Sequence, residues 1–375
     1  MERVSAGQAI LALNCGSSSL KFGVYLCEGV ASRLLGEGEA EEIGRENSSF
    51  WFAAGGITQK EQIRIPNHVG ALSRALIAFQ EHGVPRPVAV GHRIVHGGPQ
   101  VREHRILTPL VLEQLRAAAV FAPLHVPTAL TVMEEVQQRV PGISQVVCLD
   151  TAFHRKMPDV AKTYALPVEI RRLGVERYGF HGLSIESVLA QLKPVPERTV
   201  VAHLGNGSSI TAIRDGVSVD TTMGLTPAGG VMMGTRCGDL DPGILVFLMR
   251  NGFTSADELE TVLNRKSGLL GVSEESEDVR ELLSARNSDA RADLALRMFC
   301  YQARKAIASM TAALGGLDLL VFTGGIGEHA AGLRDEICSG LSFLEDFEIS
   351  VVPAQENLQI ARITAKLVSE REGGS

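Results

Sequence analysis

Apolar residues fall in short unbroken runs that end on glycine: QAILALNCG from Gln8, PVAVGH from Pro87, RTVVAHLGNG from Arg198 and LDLLVFTGGIG from Leu317. A run of this length without polar alternation predicts a strand covered on both faces, and the glycine and polar residues behind it sit at the strand end, where function gathers. Between the runs the spacing turns helical. Residues 70–82 form one such pattern with Gly83 as its stop, residues 109–121 a second behind Thr108 as N-cap, and residues 293–314 a third closed by Gly315 and Gly316. Strands alternating with helices predict an α/β class.

One pattern occurs twice. AILALNCGSSSLKFGVY, beginning at Ala9, returns as VVAHLGNGSSITAIRDG at Val200, about 190 residues on: an apolar strand, a Gly/Ser/Asn turn and a second, alternating strand. The echo predicts a duplicated domain with its boundary near Phe153, and the amphipathic stretch 357–368 is expected to return to the first copy. The expected domains are therefore 1–153 plus 357–375, and 154–356.

Composition narrows the class. With 375 residues and 45% hydrophobic content the chain can bury two cores, and a net charge of −7 without a Lys/Arg-rich run gives nucleic acid no track to follow. Apolar runs such as 317–322 are far short of the ~20 residues of a membrane helix, and the stretch around Ile10 reads as a first strand, not a leader. A cytoplasmic enzyme is expected. Six scattered cysteines show no metal-ligand spacing, as in a chain with reduced thiols.

Chemistry enters at the turns. Asn14, Gly16, Ser17, Ser18, Ser19 and Lys21 in the first hairpin, and Gly205, Asn206, Gly207, Ser208 and Ser209 in the second, supply backbone N–H groups and hydroxyls that can approach phosphate oxygens closely. Either turn alone reads more readily as an ordinary hairpin. A third Gly-rich turn, Thr323 to Glu328, can pass a base or ribose over its backbone. Neither GxxxxGK[ST] nor the HRD and DFG elements occur, which excludes P-loop and protein-kinase mechanisms. Arginine and histidine gather between glycines in GHRIVHGG (91–98), YGFHG (178–182) and MGTRCGDLDP (233–242). Phosphoryl transfer requires cations on the equatorial oxygens, and Arg93, Arg236 and His181 are of that type. Mg²⁺ prefers oxygen ligands, and Asp150 at the end of QVVCLD is the carboxylate best placed to serve it.

Taken together and in order, NCGSSSLK, GHRIVHGG, FAPLH, LDTAFH, YGFHG, HLGNGSS, DTTMGLTP, MGTRCGDLDPG and FTGGIGE resemble the motifs of the acetate kinase family. The resemblance implies two duplicated ribonuclease H-like, actin-like ATPase domains around a nucleotide cleft, a homodimer, and in-line transfer from ATP to acetate that also runs backward from ADP. It implies that Arg93 and Arg236 meet the phosphoryl group and carboxylate, that His181 stabilises the transition state, and that Asn14, Asp150 and Glu356 organise Mg²⁺, for which Mn²⁺ can substitute. Ser17, Ser19 and Lys21 match the first phosphate turn; His203, Leu204, Gly205, Asn206 and Gly207 match the second. Asp278, Val279, Arg280, Gly325, Ile326, Gly327 and His329 fall on the nucleotide side. Val95, Leu124, Phe180 and Pro227 match an apolar pocket for the substrate methyl group, with His125 beside it; a valine at 95 favours acetate over propionate.

The chain departs from the pattern at several points. It has Val126 in the usual HNP, Leu183-Ser184-Ile185 after YGFHG, Pro227-Ala228-Gly229-Gly230 with a smaller residue than usual before its glycine, His329 at the end of GIGEN, and Ala354-Gln355-Glu356-Asn357 in place of TNEE. Two other readings stand beside this one: a propionate or butyrate kinase of the same family, and an actin- or Hsp70-like ATPase module. The second has no evident need for Arg93, Arg236 and His181.

Overall fold

The computed structural model describes residues 7–29, 31–344 and 346–373. They form two compact units, one made by the chain up to Ala152 together with the segment from Gln355 on, the other by Phe153–Ala354.

In the first unit β1 (Gln8–Cys15), β2 (Leu20–Glu28), β3 (Ala31–Glu41), β4 (Ser48–Ala54) and β5 (Ile57–Ile63) run as an antiparallel meander. Then β6 (Ala89–Ile94) pairs parallel to β1, β8 (Ser144–Leu149) parallel to β6, and the short β7 (Arg105–Ile106) closes the far edge. The sheet order is β5-β4-β3-β2-β1-β6-β8-β7. Helix His68–Glu81 opens on Asn67, whose side chain accepts from the Gly70 amide, so it begins two residues before the periodicity predicts. Its Phe79 meets Phe22 and Phe52 edge-on, with ring centroids 5.6 and 5.4 Å apart. Thr108 caps Pro109–Ala118, which tightens into a 3₁₀ turn at Ala119–Phe121. The final helix, Glu356–Gly373, packs on β1, β2, β6 and β8, burying Ile360, Ala361, Thr364 and Val368.

In the second unit the sheet order is β11-β10-β9-β12-β13, from β9 (Arg198–His203), β10 (Ser209–Arg214), β11 (Val217–Thr221), β12 (Leu319–Thr323) and β13 (Glu348–Val351). Here β11, β10 and β9 are antiparallel neighbours, and β12 and β13 follow parallel to β9. That is the order and sense of β3-β2-β1-β6-β8. The two hairpins that echo each other in sequence are thus equivalent strands of a duplicated ribonuclease H-like, actin-like fold. Alternation explains the apolar strand: Val200 and Ala202 join the core under helix Ala290–Leu314, while Val201 faces Ile185 and Val188 on the other side. That long helix begins three residues before the expected start because Asp289 caps it through the Arg291 amide; Gly315, in the left-handed region, ends it. Among the described residues no helix is long and apolar enough to cross a membrane.

Candidate active site

The first unit gathers its polar residues at the carboxyl ends of three parallel strands. Asn14 is the penultimate residue of β1, Arg93 that of β6, and Asp150 follows β8 directly, its amide bonded to the Ile94 carbonyl at 3.0 Å. Ligand chemistry collects at this edge of α/β sheets because neighbouring strand ends converge there. Arg93 Nε donates to Asp150 Oδ1 and Oδ2 at 3.1 and 3.0 Å, Nη2 donates to Oδ2 at 2.6 Å, and Nη1 donates to Asn14 Oδ1 at 2.9 Å. The Asn14 amide in turn donates to Glu356 Oε2 at 2.8 Å, and Glu356 lies 4.0 Å from Arg93. The returning helix therefore delivers its first residue into the cluster.

Burial opposes the Arg93 charge, but Asp150 and Glu356 more than offset it and hold the guanidinium above the ordinary arginine range. Burial likewise raises the Asp150 carboxyl, with Arg93 pulling it down and Glu356 pushing it further up. The charge on Asp150 depends on its arginine. Two carboxylates and an amide are a hard oxygen set that suits Mg²⁺. Among the described residues no three His, Cys, Asp or Glu side chains gather to form a complete protein cage.

The two histidines of GHRIVHGG are scaffold. His92 is buried, driven down to about 4 by desolvation, and bonds Gln145 Oε1 at 2.7 Å. His96 Nδ1 accepts from the Gly98 amide at 2.8 Å and its ring stacks on Phe121. Cys15, next to Asn14, is pushed up to about 12 by burial, so its thiol is inert. The Gly16–Ser19 turn is closed by Gly16 N–H to the Ser19 carbonyl at 2.9 Å, and His68 Nε2 reaches the Gly16 carbonyl at 3.0 Å. Ser17, Ser18 and Lys21 stand exposed, Ser19 half-buried; Lys21 leans toward Glu39 at 3.7 Å. Val95 is buried, Leu124 and His125 half-buried, and His125 precedes helix Val126–Arg139, in which Val126 is fully buried.

The second unit repeats the plan. The turn after β9 is tied to β12 by Leu204 N–H to the Thr323 carbonyl at 2.8 Å, and the Leu204 carbonyl accepts from Ile326 and Gly327 at 2.9 and 3.0 Å. Turns 204–208 and 323–327 are therefore one rigid construction. Glu328 secures it: its Oε1 accepts from the Gly324 amide at 3.0 Å and from the Ala354 amide at 2.9 Å. Asn206 and Gly325 are exposed on these turns, while Leu204 and Val279 turn their side chains into the core and offer a ligand only their backbone. Asp278 caps the helix Val279–Ala285 and chelates the exposed Arg280 through Nε and Nη2; His329 is exposed.

His181 Nδ1 pairs with Ser209 Oγ at 3.0 Å and its ring stacks on His203 with centroids 4.2 Å apart. His203 is held by Ser184 Oγ at 2.8 Å. A Cβ placed on Gly207 would stand 3.1 Å from His181 Nε2 and 3.3 Å from Arg236 Nη1, so the second turn, the imidazole and the guanidinium meet at one point, where a larger residue would press on both side chains. Arg236 Nη1 donates to the Pro227 carbonyl at 3.2 Å, and its loop is sewn to its neighbours through Leu269 N–H to Met233 O at 2.8 Å and Cys237 N–H to Leu263 O at 3.0 Å. Phe180 is buried and Pro227 half-buried. Glu328, Ser184 and His68 were not foreseen as site residues; the first lay inside the GGIGE motif, but its double acceptor role has no signature in spacing.

Over residues 9–370 the sequence matches the model of the Acetokinase family. This chain belongs to that family. It is a phosphotransferase of the group. The acetate kinase of Dictyoglomus turgidum is 39% identical over 399 residues, covering 96% of this chain and 98% of the relative. Among solved structures, Porphyromonas gingivalis acetate kinase superposes with a TM-score of 0.84 at 35% identity, over 96% of this chain and all of that one. A propionate kinase from Francisella tularensis superposes with a TM-score of 0.89 at 36% identity over the same shares. One acetokinase-family departure now has a physical account: Ile185, where the pattern carries histidine, is fully buried among Val188, Val201, Ile213 and Val321.

Proposed function

We propose that this acetokinase-family chain is an acetate kinase that moves the γ-phosphoryl group of ATP in line onto acetate and back, without a covalent enzyme intermediate. The observation that carries the reading is the pairing of a cation with each strand-end turn system: Arg93 beside Asn14 and Asp150 in the first unit, Arg236 and His181 beside Gly207 in the second. Hydrolysis alone has no evident use for so many fixed cations, whereas transfer between two anions must offset charge on both.

In this reading Arg93 and Arg236 neutralise the carboxylate and the equatorial oxygens, and His181 adds a hydrogen bond from the nitrogen that faces Gly207. Asp150 and Asn14 hold the Arg93 guanidinium in one orientation, so no reorganisation is needed as charge moves. Asn14, Asp150 and Glu356 would hold Mg²⁺, which when bound supplies charge neutralisation to the phosphate oxygens. The backbone amides of 16–19 and 205–208 take phosphate, and the 278–280 and 325–329 segments take the nucleoside. Val95, Leu124, Phe180 and Pro227 bound the methyl group, Val95 favouring acetate over propionate. Propionate as the acceptor is the second reading, supported by the likeness to the Francisella enzyme.

The partner is a second copy of the chain. Helix Pro242–Arg250 buries no residue within the chain, and Ile244, Val246, Phe247 and Met249 are all exposed on it. A cytoplasmic enzyme without a nucleic-acid partner accords with the net charge of −7. A hydroxamate assay for acyl phosphate, run with several short acids and with ATP, GTP and pyrophosphate as donors, tests acceptor and donor together. Acetate with ATP is expected to give the highest kcat/KM; a clear preference for propionate would replace the first reading by the second.

A further inference from the structure

His154 lies outside every role assigned above, yet it is fully built into the second unit. Its ring is 1% exposed. Nε2 lies 3.0 Å from the Phe180 carbonyl and Nδ1 lies 2.9 Å from Ser218 Oγ. A carbonyl can only accept, so Nε2 carries the proton, and Nδ1 must then accept from the serine hydroxyl. Burial drives the imidazole down to about 4, and it is neutral at any working pH.

The carbonyl it grips is next to a special backbone. His181 has φ +59°, in the left-handed region that a residue with a Cβ seldom occupies, and two residues before it Gly179 has φ +73°. A Cβ on Gly179 would fall 2.6 Å from both Cδ2 and Cγ of His154, so the turn lies directly against the ring. A backbone state of this kind persists only where its surroundings impose it. The contacts on this turn include the His154 ring beneath Gly179 and its N–H on the Phe180 carbonyl, beside Thr221 against Gly179. From His181 the helix Gly182–Gln191 departs, and the His181 ring is left stacked on His203 with Nε2 toward Gly207.

We propose that His154 is a positioning residue for the phosphoryl transfer: by donating to the Phe180 carbonyl it fixes the 179–181 turn and so aims the His181 imidazole at the point shared by Gly207 and Arg236. The proposal rests on the reading of His181 as a group that acts on the phosphoryl oxygens. A shift of about 1 Å in such a group costs roughly 10²-fold in rate while leaving ground-state binding nearly untouched.

The test is a set of variants assayed for kcat and KM at saturating metal. His154→Gln places an amide N–H where Nε2 stands and should keep kcat within about threefold, whereas His154→Asn, too short to reach Phe180, should lose roughly 10²-fold in kcat with both KM values within about threefold. Ser218→Ala removes the hydroxyl that steadies Nδ1, loosening the ring without altering the core volume much, and should lower kcat a few-fold, again without raising KM; this arm decides the matter if the Asn variant does not fold. In the pair His154→Asn/His181→Ala the two losses should not multiply, since one acts through the other. Asn performing as well as Gln, losses confined to KM, or multiplicative losses in the pair would overturn the proposal. An active His181→Ala single variant would instead sink the reading of His181, and that result is separate.

Discussion

Removing Arg93 should make the stability of the chain depend on pH in a direction set by Asp150. Arg93→Ala takes away all three hydrogen bonds to a carboxyl that is 1% exposed, while the arginine side chain itself is 17% exposed, so the uncompensated buried charge is the carboxylate. Breaking a buried pair in this way costs about 3–5 kcal/mol with the remaining partner ionised. Burial and the neighbouring Glu356 already push the Asp150 carboxyl up, and without the guanidinium nothing of comparable strength opposes them. The folded chain then binds a proton that the unfolded chain releases, and stability falls as pH rises until the folded pKa is passed. Each pH unit in that window is worth about 1.4 kcal/mol. At pH 8 the variant should melt about 6–20 °C below the unmodified chain, at about 2–4 °C per kcal/mol for a unit of this size, and the gap should close steadily toward pH 5. The control is Arg93→Ala/Asp150→Asn, which has no buried carboxylate at 150: it should be the more stable of the two variants at pH 8 and lose that lead at pH 5. His104, which also acts on Asp150, does so in the unmodified chain and in the single variant alike. A gap independent of pH, or a double variant no more stable than the single one at pH 8, would refute the electrostatic account of the cluster.

Other outcomes follow from the same geometry. Val95→Ala should raise kcat/KM for propionate relative to acetate by about 10–200-fold, the worth of one methylene of room, as measured by the hydroxamate assay. Glu328→Gln keeps an acceptor for the Gly324 and Ala354 amides and should stay within about threefold of the parent, while Glu328→Ala leaves both donors without their partner and should raise the nucleotide KM roughly tenfold or more in steady-state kinetics. Phe247→Asp, on the helix that buries nothing in its own chain, should halve the mass seen by light scattering while circular dichroism is unchanged.

Much of the fold could be read from the chain because its central strands are buried on both sides and so are uniformly apolar. QAILALNC, RTVVAH and LLVFT are strands, and the paired Gly/Ser turns between β1 and β2 and between β9 and β10 belong to equivalent hairpins. The outer meander was not legible. β3 and β5 carry glutamate, lysine and glutamine on exposed positions, and half-buried strands lose the apolar signal. Helix starts moved for a local reason: Asn67 and Asp289 cap through their side chains before the first apolar position. In the proposed site, Arg93, His181 and Arg236 stand out in the sequence because glycine-flanked cations have no packing explanation, and Asp150 because it ends an apolar strand. Motif matching could not separate side-chain from backbone roles. Leu204 and Val279 therefore stood among the nucleotide residues although their side chains are core. Contacts made only by tertiary approach, such as Glu328 on the Ala354 amide and His154 on the Phe180 carbonyl, leave no periodic trace.

ATP should lose its γ-phosphoryl group to acetate and not to water. The decisive measurement is the ratio of ADP released to acetyl phosphate formed, followed in the purified chain with Mg²⁺ and ATP, with and without acetate. One acetyl phosphate for each ADP, with ADP release all but abolished when acetate is omitted, is the predicted result. ADP release that continues unchanged without acetate, or that yields no acyl phosphate in its presence, would contradict it.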